Sequence, residues 1–340
     1  MSLVRIIDKE TVLKTLKMDE VIQVVENCYV QKASGMGKIW PMVFQEFPGF
    51  YGDMDIKSGQ LDEDGFYGLK LVSWFRDNPQ KNLPQLFGTS LLFDIKTGEP
   101  KALINATAMT GMRTGAAGAI GAKYLARKDS RSLLIVGTGH LAPYLIVASL
   151  ISIPTLEEVK VINPHNSNSN NEKLLETIEE VDKLLDDISF KRNAQINLAK
   201  DLESAVKSSD IIMTATPSYS PLIKADWVNP GTHISTMGAD ISGKQELDSE
   251  ILRKAKIVVD DIEQSISVGE CEIPIKEKVI EKSHVNLEIG EIIIDSSKSR
   301  ANLDEITIFD STGIALQDIA CGILVFKKAE EMKLGKLVEL

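Results

Sequence analysis

Apolar residues recur at helical spacing through "TVLKTLKMDEVIQVVENCYVQKASG" (11–35), and Gly35 is a suitable C-terminal stop, so this stretch predicts helix. "YGLKLVSWF" (67–75) and "GTSLLFDIKTGEPKALIN" (88–105) predict strands, the second folding back over 94–100, where Thr97 and Gly98 suit a hairpin turn. The alanine- and glycine-rich "TAMTGMRTGAAGAIGAKYLA" (107–126) predicts a helix that lies close against another backbone. From Ser132 the period changes to strand–helix alternation. Strands are predicted at 132–136, 158–162, 195–199, 211–216, 232–237 and 256–260, with helical patterns such as 171–187 and 201–210 between them. That alternation implies a parallel, doubly wound α/β sheet. "NPHNSNSNN" (163–171) reads as a loop and helix cap. The tail "ITIFDSTGIALQDIACGILVFKKAEEMKLG" reads as strand, turn and long amphipathic helix.

Composition narrows the function. The 340 residues suggest about two domains, and 43% apolar with 26% charged residues is ordinary for a globular chain. A net charge of −11 argues against nucleic acid or an anionic membrane surface as partner, since both select basic faces. Cys28, Cys271 and Cys321 are too few and too dispersed for a disulfide framework. With four histidines and no CxxC or HExxH, no metal site is expected. "MSLVRIIDKE" has no signal-peptide pattern and the longest apolar run is too short to span a bilayer, so the expected location is cytoplasmic.

"RSLLIVGTGHLAPYLIVASLIS" (131–152) carries the clearest chemistry. Gly137, Gly139 and Ala142 form G-x-G-x-x-A between an apolar strand and an apolar helix. There the first glycine makes the turn, the second lets backbone approach a pyrophosphate, and the third small residue packs helix on strand. Thr138, His140 and Leu141 complete the turn. The next strand ends in Asn163, Pro164, His165 and Asn166, with no acid to take a ribose 2′-hydroxyl or repel a 2′-phosphate. This leans toward NADP, with NAD still open because no arginine is present to clamp the phosphate. Thr216 and Pro217 of "TATPSYSP", with Met237 and Gly238 after the 232–237 strand, are candidates for the nicotinamide end. A plain βα loop would read the same way at any single one of them.

Five ordered motifs, "GLKLVSW", "TGMRTGAAGAIGAKYLA", "LLIVGTGHLA", "PGTHISTMGAD" and "FDSTGIALQD", make nearly the whole chain similar to the ornithine cyclodeaminase/mu-crystallin family. That family also holds archaeal-type alanine dehydrogenases and cyclic imine reductases. The resemblance implies a homodimer with a Rossmann domain, placed here at 119–311. This domain is inserted into an α+β substrate-binding and dimerisation domain, 1–118 plus 312–340. It also implies that Lys70 contacts substrate and moves a proton. Arg113 would bind the substrate carboxylate, and Asp240 would lie beside the reacting Cα–N bond. The residues alone would equally allow a surface strand lysine, a helix salt-bridge partner and a helix cap.

One departure concerns the substrate. Where relatives carry Pro-x-Arg, "WPMVFQEF" has Val43. Downstream, "GDMDIKSG" (52–59) supplies Asp53, Asp55 and Lys57. Lys57 is a candidate for the missing cation and Asp55 a further substrate contact, although a solvated loop lysine would read the same. The resulting expectation is NAD(P)-dependent hydride transfer at the Cα–N bond of a small amino or imino acid. Two alternatives stand beside it: ornithine cyclodeaminase, without net redox, and a non-catalytic NADPH-dependent ligand-binding protein.

Overall fold

A computed structural model describes residues 3–164 and 170–340. The chain separates into two compact units, Met1–Arg113 with Ile314–Leu340, and Thr114–Gly313. The sequence reading placed the boundaries at 118/119 and 311/312. The first unit's opening segment ends at Arg113, within the helix over Thr107–Leu125, and its closing segment begins at Ile314.

The first unit opens with strand β1 (Leu3–Ile7) and helices α1 (Lys9–Thr15) and α2 (Met18–Ala33). The helical stretch read over 11–35 is thus two helices: Leu16 and Lys17 take extended backbone and break it. Then follow β2 (Gly37–Phe47), β3 (Gly52–Leu61), β4 (Phe66–Phe75), β5 (Leu86–Asp94), β6 (Pro100–Asn105) and helix α3 (Thr107–Leu125). The β5–β6 turn forms where expected, with Asp94 accepting from the backbone N–H of Lys96 and Thr97. Segment 52–59 is strand, not loop. Its alternation of acidic or basic with apolar residues suits a strand with one polar face, and β3 pairs along its length with β4.

The second unit takes α3 onward through β7 (Ser132–Val136), α4 (Ala142–Ser152), β8 (Glu158–Ile162), α5 (Asn170–Asp186), β9 (Gln195–Leu198) and α6 (Leu202–Lys207). It continues with β10 (Ile211–Thr214), β11 (Tyr219–Ile223), β12 (His233–Thr236), β13 (Gln245–Leu247), α7 (Ser249–Lys254) and β14 (Lys256–Val259). Short helices α8 (Ile262–Ser267), α9 (Glu272–Lys276) and α10 (Ile289–Ile294) precede β15 (Thr307–Asp310). The chain then returns to the first unit as α11 (Ala315–Glu331) and β16 (Lys336–Glu339).

The first unit's sheet has the order β16-β1-β6-β5-β4-β3-β2, leaving β2 at one edge. Helix α11 packs on it, and its first two turns are buried all round rather than along one stripe. The second unit's main sheet has the order β14-β15-β12-β10-β7-β8-β9, parallel throughout. Its strand order reverses direction at β7, between β8 and β10, which makes it doubly wound. All four residues of β10, β12 and β15 are buried, as expected of strands covered on both faces. Among the described residues no helix is long and apolar enough to cross a membrane.

The small residues of α3 do what their density suggested. A Cβ built on Gly115 would lie 2.5 Å from the carbonyl carbon and oxygen of Tyr144, on α4. A Gly115→Val substitution is therefore expected to lower the unfolding free energy by about 1–3 kcal/mol through overpacking. Denaturant titration checks this, and an unchanged midpoint would show that α3 can shift away from α4 without cost.

Candidate functional site

In the first unit, three of the residues singled out from sequence converge on one that was not. Lys70 lies near the middle of β4, 3% exposed, and its Nζ is 2.8 Å from Oδ2 of Asp318, itself 1% exposed. Oδ1 of the same carboxylate is 3.3 Å from Nε of Arg113, near the start of α3. Arg113 also donates from Nη1 to Oε1 of Gln317 at 2.9 Å, and Gln317 donates from Nε2 to the hydroxyl of buried Tyr29 at 2.5 Å. Adjacent residues at the start of α11 thus hold both cations, and α2 fixes the far end of the chain of contacts.

Burial governs the electrostatics. It pushes the Lys70 ammonium down to about 8; Asp318 opposes this, while Arg113 and Lys57 add to it. Burial would push Asp318 up, but Lys70, Arg113 and Lys57 together hold its carboxyl below the ordinary value.

Lys57 belongs to this set through strand register. In the antiparallel β3–β4 pair it stands opposite Lys70, so the two side chains share a face. Asp55 stands opposite Val72 and Asp53 opposite Trp74, along the same row. Within the buried set two cations, Lys70 and Arg113, share one carboxylate, Asp318, which leaves one positive charge in excess. Val43 faces elsewhere. It pairs with Ile56 beyond a register shift in β2, so its side chain lies on the opposite face from Lys57 and Lys70 and is half exposed. The missing arginine therefore leaves no gap in the row at that position.

In the second unit the glycine turn takes the expected form. Gly137 has φ +121°, and its N–H donates to the carbonyl of Ile162 at the end of β8. A Cβ there would lie 2.6 Å from the carbonyl oxygen of Ala215, in the loop after β10. A Cβ on Gly139 would meet nothing within 4 Å, so protein backbone is open there to an incoming group. Ala142 is buried at the start of α4, whose N-terminus follows Leu141. Thr138, Gly139 and His140 line a cleft of about 410 Å³ with Pro143, Tyr144 and the α5 residues Lys173, Glu176, Thr177 and Glu180. The turn, the open glycine and the helix N-terminus fit a dinucleotide pyrophosphate. Asn163 is half-buried just past β8, while His165 and Asn166 lie outside the described residues. The α5 carboxylates were not foreseen as neighbours of the turn, because the sequence places them well beyond the asparagine loop.

The other candidates of this unit follow β10 and β12. Thr216 and Met237 are buried and Pro217 exposed, and Gly238 is half-buried. Asp240 is 56% exposed and paired with Lys244 at 2.6 Å. It belongs to this unit, whereas Lys70, Arg113, Lys57 and Asp55 belong to the other.

Asp318 and Gln317 were missed, although both stand in the motif "FDSTGIALQD". An acid in a helical first turn usually reads as a partner for the helix dipole. The signal was its neighbours: on both sides Asp318 is flanked by residues that must be buried, and a buried acid needs a cation.

Against known proteins, the model of the ornithine cyclodeaminase/mu-crystallin family matches residues 5–333. Alanine dehydrogenase of Archaeoglobus fulgidus is 37% identical over 334 residues, 98% of each chain. Among solved structures, an archaeal alanine dehydrogenase dimer with bound NAD superposes with a TM-score of 0.87 at 36% identity, over 99% of each chain. The Δ1-pyrroline-2-carboxylate reductase of Thermococcus litoralis, in complex with NADH and L-proline, gives 0.88 at 32% identity over 98% of this chain and 100% of that one.

The ion-pair geometry has a titration consequence. Asp318 favours the charged form of Lys70, so Asp318→Asn is expected to move the Lys70 titration further below 8. The pH dependence of the NMR signal of ¹³C-methylated Lys70 measures it. An upward or absent shift would mean that Asp318 does not set the lysine's charge.

Proposed function

The chain belongs to the ornithine cyclodeaminase/mu-crystallin family, and from that premise we propose that it is an NAD(P)-dependent enzyme transferring hydride at the Cα–N bond of a small amino or imino acid. The observation that carries this reading is the buried Lys70–Asp318–Arg113 set with its excess positive charge. Such a set asks for an anion. Asp318 and Gln317 engage Nε and Nη1 of Arg113, which orients the outer edge of the guanidinium as a fork for the substrate carboxylate. Lys70 lies across Asp318 from that fork and handles the proton on the substrate nitrogen. In reduction the lysine ammonium gives its proton to the imine nitrogen while hydride adds to Cα. In oxidation the neutral amine takes the proton back. A pKa near 8 lets both forms exist near neutrality.

The turn at 137–142, with Asn163, Thr216, Pro217, Met237 and Gly238, would hold the dinucleotide, which when bound supplies or accepts the hydride. The Archaeoglobus enzyme and the reductase solved with NADH and L-proline support this class of chemistry. Asp240 is proposed as an accessory acid/base, supported by its motif and by its exposure. Asp55, beside Lys57 on the substrate-facing row, favours one second reading. It would accept the distal ammonium of L-ornithine and turn the same chemistry into cyclodeamination. The assembly we propose is a homodimer in the cytoplasm. Edge strand β2 and the turn after it expose Trp40, Met42, Phe44, Phe50 and Tyr51, and an archaeal relative was solved as a dimer.

Lys70→Met is expected to lower turnover ~10²–10⁴-fold while dinucleotide binding stays nearly unchanged. Lys57→Ala is expected to raise KM with a smaller effect on kcat, the pattern of a ground-state contact. In the wild type, kcat/KM for reduction is expected to fall as pH rises through about 8, as Lys70 loses its proton. The assays use stoichiometric NAD(P)H with pyruvate plus ammonium or with Δ1-pyrroline-2-carboxylate. Proline and ammonia from L-ornithine with catalytic dinucleotide would favour the cyclodeaminase reading. Fluorescence titration decides the dinucleotide. Asn163 leads us to expect tighter NADPH, and a preference for NADH of about tenfold, 1.4 kcal/mol, would assign the choice to Glu176 and Glu180.

A further inference from the structure

Outside the Lys70–Asp318–Arg113 set, four carboxylates among the described residues of the second unit are at most 1% exposed: Glu246, Glu270, Asp310 and Asp260. Among the described residues no group of this kind is arranged to hold a metal ion. The hydrogen bonds show what they hold instead. Glu246, on β13, is fully buried. Its Oε1 accepts from the backbone N–H and the hydroxyl of Thr216, both at 2.7 Å. Its Oε2 accepts from the hydroxyl of Thr214 at 2.6 Å and the N–H of Gly238 at 3.0 Å. Glu270 stands behind it and accepts from the N–H groups of Glu246 and Leu247 at 3.0 and 2.5 Å.

Both loops so joined lie at the carboxyl edge of the sheet, where dinucleotides bind in doubly wound folds. The loop after β10 also touches the glycine turn, through Ala215 against Gly137. The loop after β12 leaves no room to move inward, because a Cβ on Gly238 would overlap the Thr216 carbonyl oxygen and the Glu246 carboxylate. We propose that Glu246 is a positioning residue for the nicotinamide end of the dinucleotide. It clamps the Thr216 and Gly238 loops at a fixed separation, and Glu270 holds Glu246 in register. This rests on the reading above that the 137–142 turn binds a dinucleotide.

The chemistry of the clamp makes it specific to a carboxylate. Each oxygen receives one hydroxyl, which can rotate away, and one backbone N–H, which cannot. An amide in place of the carboxylate would point its NH₂ at one pair and leave that backbone N–H unsatisfied in a dry site. An orphaned buried donor of this kind makes the loop move rather than the side chain stay.

The test separates the two ends of the dinucleotide. ADP-ribose carries the adenosine and pyrophosphate but no nicotinamide. For Glu246→Gln, ADP-ribose affinity by calorimetry is expected to stay within about twofold of wild type, while affinity for the preferred reduced dinucleotide falls about tenfold or more. The enhanced fluorescence of the bound dihydronicotinamide should fall with it. Thr214→Val removes one hydroxyl from Oε2 and keeps the shape. It should lower dinucleotide affinity and the bound fluorescence by about threefold while ADP-ribose affinity stays unchanged, guarding against a Glu246→Gln protein that does not fold. Equal losses for ADP-ribose and the whole dinucleotide, or no loss for either, would overturn the positioning role. A wild-type protein that binds neither would instead overturn the dinucleotide reading.

Discussion

Asp318 is a carboxylate with almost no contact with water, placed between a lysine and an arginine that are themselves buried. Each of the three would be too costly to keep ionised alone. A buried charge without its partner costs several kcal/mol, and removing one member of a buried pair typically destabilises by about 3–5 kcal/mol. The buried Lys70–Asp318–Arg113 set therefore forms as a unit. It forms only if α11, which carries Asp318, is packed on the sheet strand that carries Lys70, with the first turns of α3 alongside. The return of the chain after Gly313 to complete the first unit is thus an electrostatic requirement as well as a packing arrangement.

The same arrangement sets the chemistry. Asp318 neutralises only part of the charge around it, since Lys57 adds a third cation through register with Lys70. What is left is a net attraction for a carboxylate and a lysine whose proton is loosely held near neutrality. In the second unit the parallel sheet supplies a different device: backbone. A glycine with positive φ, a second glycine two residues on that is open to the outside, and a helix N-terminus would meet an anion with dipoles rather than with side-chain charge. Charge where a proton would move, and backbone where a phosphate would only be held, is a division of labour that fits the proposed hydride transfer at a Cα–N bond.

Much of this was legible in the chain. The glycine turn, the parallel strands and the 94–100 hairpin are local patterns, written in apolar runs and turn residues within a few positions of each other. Lys70 and Arg113 became visible through motifs rather than periodicity, because nothing local distinguishes a buried lysine from an exposed one. Strand β3 is not marked as a strand by its own residues, since Gly52, Asp53 and Asp55 all disfavour strand in isolation. Pairing with β4 overrides that preference, and only the register reveals that Lys57 faces Lys70 while Val43 does not. Asp318 and the Glu246–Glu270 pair were hidden for a common reason. Their partners lie on other elements, and a carboxylate's significance depends on burial that no single segment specifies.

The claim that Lys70 and Asp318 act as one unit is tested most directly by a double-mutant cycle on kcat/KM for NAD(P)H-dependent reduction of a small imino acid. Lys70→Met, Asp318→Asn and the combined variant are compared with wild type. If Asp318 works by holding and charging Lys70, its loss costs little once the lysine is gone, and the combined variant is far less impaired than the product of the single effects. Losses that multiply would show that the two residues act independently and would contradict the account.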